Sequence, residues 1–175
     1  PERVRKLTME DFCQLSGRLT EDKYKGSYEQ CGAIIRRYST QAMLDSTNLF
    51  YLILFSFVIG NNDGHLKNFS LYTPEPGHTF LSPAYDLLPV SLVLPQDPKE
   101  SALTLNGKKS RISRRDFLSL ADSLQLPRNV APRFIDRLHT LQDVFSRIIT
   151  DSFIPQTYQE QLIALIDQRL RRLRE

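Results

Sequence analysis

The sequence predicts a mainly α-helical fold of the α+β class with one central β-hairpin. Three observations predict it. Residues 49–59 form an apolar run broken only by Ser56, longer than a typical strand. The last third spaces its apolar residues in helical steps, at Phe134, Leu138, Leu141 and Phe145, then at Leu162, Leu165, Ile166, Leu170 and Leu173. Between these regions, Thr73-Pro74-Glu75-Pro76-Gly77 separates two short strand-like stretches, 69–72 and 78–81.

Composition sets outer bounds. The chain has 175 residues, 41% of them hydrophobic and 25% charged, which is globular usage at the length of one domain or one lobe of a larger one. It is therefore read as a single unit, 1–175. A net charge of +3 does not by itself argue for nucleic acid. Cys13 and Cys31 are the only cysteines and no CxxC pair is present, which excludes a disulfide framework or a zinc knuckle and fits a reducing cytoplasm. The longest apolar run, 49–60, is shorter than the roughly 20 residues of a membrane span, and no signal-peptide pattern opens the chain. No membrane is expected. The chain starts Pro1-Glu2-Arg3 without Met, so it is either processed or a piece of a longer protein.

The elements follow in order. Thr8-Met9-Glu10-Asp11-Phe12 is expected to open a short helix with Thr8 as N-cap, ended by Gly17. Residues 20–33 are polar and carry Gly26 and Gly32, which predicts a loop, with a short helix inside 27–38. Residues 40–59 predict one long helix, capped by Ser39 or Thr40, ended by Gly60, and apolar on every side over its second half, hence buried all round. The hairpin comes next, then an acidic, Pro-containing loop at 94–101. Ser113-Arg114-Arg115-Asp116 starts a further helix, Pro127 another, and 157–173 the last.

The abrupt change after the buried helix carries the chemistry. Asn61-Asn62-Asp63-Gly64-His65-Leu66-Lys67-Asn68 is almost wholly polar. Asp63 and Asn68 stand five positions apart, the spacing at which a kinase catalytic loop places the base for the acceptor hydroxyl and an Mg²⁺ ligand. Phosphoryl transfer also needs a further carboxylate on the metal. Asp86 is the candidate, because pairing 69–72 with 78–81 brings residue 68 beside residues near 82. Lys67 either neutralises phosphate or pairs with Asp63, and His65 either supports the loop or touches nucleotide. Asn-Asn-Asp-Gly is equally a turn sequence, so spacing alone does not decide.

The residues 59–70, Ile-Gly-Asn-Asn-Asp-Gly-His-Leu-Lys-Asn-Phe-Ser, resemble the catalytic loop of the HipA family of bacterial toxin kinases. Leu81-Ser82-Pro83-Ala84-Tyr85-Asp86 is similar to that family's metal-binding segment. Leu7-Thr8-Met9-Glu10-Asp11-Phe12-Cys13-Gln14 with Lys23-Tyr24 resembles the opening of its C-terminal lobe. The resemblance implies the helical C-lobe of a protein-kinase-like fold and serine/threonine phosphorylation using ATP and Mg²⁺. It implies Asp63 as catalytic base, Asn68 and Asp86 as metal ligands, and His65, Leu66, Lys67, Asn68, Tyr85 and Asp86 lining the nucleotide site. It implies an aminoacyl-tRNA synthetase as substrate, with growth arrest as the result, and a helix-turn-helix antitoxin as partner. A Gly-rich loop and a strand lysine over the phosphates are missing, so the N-lobe is expected from the same or another chain, and this chain alone is expected to be nearly inactive. An inactive lobe serving as an antitoxin or DNA platform, and a kinase for a non-protein acceptor, are the other two readings.

Charge runs have plainer readings. Residues 106–115 carry Lys108, Lys109, Arg111, Arg114 and Arg115 without an acid, a solvated loop by default and otherwise a contact to DNA phosphates. Arg169, Arg171, Arg172 and Arg174 read as cations favoured at a helix C-terminus. His78 and His139 read as structural. Lys23 and Tyr24 are expected to shape a loop near the cleft.

Overall fold

The computed structural model describes residues 6–94 and 96–175. Its elements are β1 (Thr8–Asp11), α1 (Phe12–Leu15), α2 (Tyr28–Tyr38), α3 (Ala42–Ile59), β2 (Ser70–Glu75), β3 (His78–Leu81), α4 (Val90–Val93), α5 (Arg114–Ser123), α6 (Val130–Thr140), α7 (Gln142–Thr150) and α8 (Gln156–Arg174). The mainly α prediction with a central hairpin holds, with corrections at both ends of the hairpin's surroundings. The loop expected at 94–101 is irregular over its described residues, and Pro95 lies outside them.

The first correction is a third strand. Residues 8–11 are not the start of a helix: they pair antiparallel with β2, Thr8 opposite Thr73 and Asp11 opposite Ser70, in a sheet of order β1-β2-β3. Asp11, not Thr8, caps α1, accepting from the Gln14 amide at 2.8 Å, while Gln14 Oε1 accepts from the Asp11 amide at 3.0 Å. The local signal for a cap was present, three residues downstream of the position read. Gly32, taken as a loop marker, lies inside α2. A Cβ there would run into the Leu124 side chain, so the glycine records the close approach of α2 to the end of α5.

α3 is the axis of the fold. Its Leu49, Phe50, Ile53, Leu54, Phe57 and Val58 are at most 3% exposed, each removing about 1.5–3 kcal/mol of apolar surface from water. By length and composition this is a helix able to cross a membrane, but α2, β3, α5, α6 and α8 all pack on it. Burial is not complete: Tyr51, Leu52 and Phe55 are half-buried along one stripe. Neither Ser39 nor Thr40 caps it. The N-cap is Gln41 without a side-chain bond, and Ser39 Oγ donates instead to the buried Asp45 at 2.6 Å. Asp45 also accepts from the Gln41 side chain at 3.0 Å and from the Leu81 amide at 2.8 Å, which ties β3 to α3. The helix ends at Gly60 in the left-handed region (φ +77°), where a Cβ would collide with the Ser91 and Leu165 side chains.

Arg171, Arg172 and Arg174 stand in the last turn of α8, as the sequence reading expects, but Arg169 and Arg172 also serve tertiary contacts. Arg169 and Arg172 reach Glu100 at 2.9 and 2.6 Å, and the Arg169 guanidinium lies 4.5 Å over the Phe57 ring. Burial opposes ionisation of Glu100, yet the bonds from Arg172 and the Ile112 amide outweigh it and hold its carboxyl below the usual range.

Candidate active site

The site is built by two chain reversals. Gly60 stops α3 and releases the backbone into residues 61–65. A 3-10 turn at Leu66–Asn68 then redirects it into β2. In that turn the Asn68 side-chain oxygen accepts from the His65 amide at 2.9 Å, and the Asn68 amide donates to the His65 carbonyl at the same distance. Asn68 is thereby fixed with its amide nitrogen pointing across the hairpin base.

The hairpin does what the sequence expectation required. Leu71 faces Leu81 and Tyr72 faces Phe80, and the Ser82 amide donates to the Ser70 carbonyl at 2.8 Å. Asn68 Nδ2 then donates to Asp86 Oδ2 at 2.6 Å, joining residues 18 positions apart. Asp86 is exposed and sits at φ +57°, a left-handed conformation that aspartate tolerates better than most residues and that is enriched at functional sites. Asp63 is half-buried, its amide resting on Asn61 Oδ1 at 3.3 Å.

The other predicted residues take supporting positions. The Tyr85 hydroxyl donates to the Lys67 carbonyl at 2.7 Å and lies 2.6 Å from Ser70 Oγ, so it pins the segment carrying Asp86 onto the hairpin base. The Leu66 side chain is 1% exposed and belongs to the core. The Lys67 amine pairs with Asp11 at 3.1 Å, so the Lys67–Asp63 alternative is not the pair that forms. The His65 ring is buried, and that burial, with the nearby Lys23 charge, lowers its pKa and keeps the imidazole neutral. Its Nδ1, like Asn62 Oδ1, is buried without a hydrogen-bond partner, as happens where water or a ligand completes a site.

Two residues were missed as site residues, Asn61 and Asn62, and a third, Tyr24, was expected only to shape a loop near the cleft. Asn61 donates to the Asp86 carbonyl at 3.5 Å. Asn62 donates to the Lys99 carbonyl at 3.1 Å and so anchors the segment that follows Asp86. Tyr24 reaches Asp63 directly, at 2.8 Å; its only sequence signal was the Lys23-Tyr24 pair. Beside Asp86, Tyr51, Leu52 and Phe55 join Leu81, Pro83 and Leu87 in an apolar groove of about 530 Å³.

The donor set suits a hard cation. Asp86 offers carboxylate oxygen and Asn68 Oδ1 keeps a second lone pair beyond the one used by His65. No cluster of three or more His, Cys, Asp or Glu side chains occurs among the described residues. Two protein oxygens with phosphates and water completing the shell is the way Mg²⁺ is usually held, and the residues fit it.

A helical lobe that carries Asp63 in the loop after its central helix and brings Asn68 and Asp86 together at the base of a hairpin has the architecture of the C-lobe of a protein-kinase-like fold. The chain belongs to the HipA-like C-terminal domain family, whose model matches residues 2–145. It is 27% identical over 160 residues to an inferred kinase of Haemophilus influenzae, covering 82% of this chain and 47% of that protein. It is 34% identical over 123 residues to the inferred kinase Y4dM of Sinorhizobium fredii, covering 67% and 29%. The fold is similar to that of HipA from Shewanella oneidensis, solved with HipB and operator DNA, at a TM-score of 0.79 and 19% identity, over 97% of this chain and 43% of that one. It is also similar to the Helicobacter pylori proinflammatory kinase CtkA, at 0.58 and 16%, over 97% and 70%. The chain spans less than half the length of the two curated relatives.

Proposed function

We propose that this chain is the catalytic lobe of a cytoplasmic HipA-like serine/threonine kinase that transfers the ATP γ-phosphate to a protein, with an aminoacyl-tRNA synthetase as the substrate class. The observation that carries the reading is the 2.6 Å contact between Asn68 and Asp86 at the mouth of the loop bearing Asp63. Asp63 is the base: half-buried and open on one side, it accepts the acceptor hydroxyl proton. Asn68 and Asp86 hold Mg²⁺, which when bound neutralises charge on the β- and γ-phosphates. Tyr85 and Asn61 fix the Asp86 backbone, and Lys67 holds β1 to the loop through Asp11.

The rest of the kinase closes ATP from the other side. A Gly-rich loop and a strand lysine come from an N-lobe in the same or another chain, and the groove of Tyr51, Leu52 and Phe55 beside Asp86 is the face on which that N-lobe packs. By analogy with the HipA–HipB–DNA assembly, a helix-turn-helix antitoxin is the regulatory partner.

The test is phosphate transfer from γ-labelled ATP by the full-length protein with Mg²⁺ and a bacterial lysate, beside an Asp63→Ala version. A labelled protein band that disappears in the variant is the expected result, and its mass points to the substrate. No band from folded wild-type protein would overturn protein phosphorylation. The 175 residues alone are expected to transfer little or nothing.

A further inference from the structure

The Asp63 carboxylate is held from outside its own loop. Tyr24 donates its phenol hydroxyl to Asp63 Oδ1 at 2.8 Å, across 39 positions of sequence. Tyr24 is itself well anchored. Its ring meets His65 edge-on with centroids 5.1 Å apart, and the Lys23 amine lies 5.0 Å from its centroid. The Leu66 amide donates to the Lys23 carbonyl at 3.1 Å, and Lys109 Nζ donates to the carbonyls of Tyr24 at 3.2 Å and Ala102 at 2.5 Å. Beyond it, the Thr104 amide donates to the Gly26 carbonyl at 3.1 Å and the Tyr28 amide to the Thr104 carbonyl at 3.0 Å. Residues 23–28 are thus strapped between the catalytic loop and residues 102–109.

A catalytic carboxylate must present one lone pair to the acceptor hydroxyl, and a misplacement of about 1 Å can cost about 10²-fold in rate. A free aspartate rotates about its terminal torsion, which is broad; one donor on one oxygen stops that rotation. Partial burial, then the bond to Asp63, push the Tyr24 phenol up to about 12, so at neutral pH it keeps its proton and acts as the donor.

We infer that Tyr24 is a positioning residue for phosphoryl transfer, holding Asp63 Oδ1 so that Oδ2 faces the acceptor hydroxyl. This rests on the reading of Asp63 as the base. The proton balance is simple. The acceptor O–H proton passes to Asp63 Oδ2, the acceptor oxygen bonds to the γ-phosphorus of ATP, the bond from that phosphorus to the β–γ bridging oxygen breaks, and ADP leaves with the bond's electron pair. Tyr24 loses nothing.

The experiment uses the full-length protein, γ-labelled ATP, Mg²⁺ and a bacterial lysate as the source of acceptor. Tyr24→Phe removes the hydroxyl and keeps the ring against His65. At saturating ATP its labelling rate is expected to fall about tenfold or more, as for a lost hydrogen bond to a charged group, with half-saturating ATP and the thermal midpoint unchanged. In an Asp63→Ala background the same substitution is expected to add nothing, because the two residues act as one unit. A second readout does not depend on activity: with tyrosine labelled at ¹³Cζ, the Tyr24 resonance, assigned by its loss in Tyr24→Phe, moves in Asp63→Ala. Equal rates for wild type and Tyr24→Phe, with Asp63→Ala inactive, overturn the inference, and so does an unmoved resonance. If the resonance moves but wild type transfers no label, the contact stands while the base reading of Asp63 fails, and the positioning role falls with it.

Discussion

Two charged, polar stretches of this chain look alike on paper and differ in the structure. Residues 61–68, with three Asn beside Asp63, His65 and Lys67, and residues 106–115, with five Lys or Arg, are both short and polar, and both adjoin a helix end. The first converges on Asp63, Asn68 and Asp86, and leaves carboxylate oxygens uncommitted. The second is turned inward. Lys108 reaches the buried Asp116 at 2.8 Å, Lys109 the carbonyls of Tyr24 and Ala102, and Arg114 the Leu173 carbonyl at 3.0 Å. Of its five cations only Arg111 and Arg115 make no hydrogen bond or ion pair to the rest of the chain among the described residues. The difference teaches that charge density does not make a site; donor and acceptor atoms left over after the fold is satisfied do.

That contrast can be broken by substitution. Asp63→Ala is expected to lower phosphate transfer by the full-length protein about 10²–10⁴-fold, the range for a lost general base, with thermal stability nearly unchanged. Next in size, Asp116→Ala is expected to destabilise by about 3 kcal/mol, because it strands Lys108, Asn106 and the Ser113 cap. Denaturant unfolding measures it, and the Mg²⁺ dependence of transfer should not change. A loss of stability from the first variant, or an altered metal dependence from the second, would blur the division.

Acid sharpens it. Burial alone would raise the Asp116 carboxyl, but bonds from Lys108, Asn106 and Ser113 outweigh that and bring it from 3.8 to about 2. Its stabilisation, of about 2 kcal/mol, is therefore complete above the unfolded value near 3.8 and lost as pH falls toward about 2. His65 acts earlier. Its folded pKa lies below the unfolded 6.5, so the unfolded chain takes up a proton first and stability declines as pH drops through about 6.5. His139, lowered by burial and Arg174, works in the same direction. Thermal midpoints from pH 8 to pH 2 should thus show two descents, and His65→Asn should flatten the first. The smallest effect is that of Arg111→Ala with Arg115→Ala, expected within about 0.5 kcal/mol of wild type. If those two residues touch DNA, the salt dependence of operator binding by the antitoxin complex should weaken by about one unit of slope per lost contact.

Much of this was readable along the chain because it depends on near neighbours. The apolar run 49–59, its Gly60 stop, the turn before His78 and the spacing of Asp63 and Asn68 are local facts, and local facts survive folding. The pairing of Asn68 with Asp86 was legible too, since a two-strand hairpin has few registers. Strand β1 was not, because a strand's partner can lie anywhere in the sequence, and Thr8–Asp11 finds its own more than fifty residues away on β2.

The sequence by itself determined the helical character, the hairpin and which residue types stand at its base. Tertiary structure alone decided the use of each polar side chain: Lys67 to Asp11 instead of Asp63, Arg169 and Arg172 to Glu100, and Tyr24 onto Asp63. The reason is physical. A side chain's secondary-structure preference is set within a turn or two of backbone, while a long polar side chain takes the best partner its three-dimensional surroundings offer, and those are assembled only when distant segments pack.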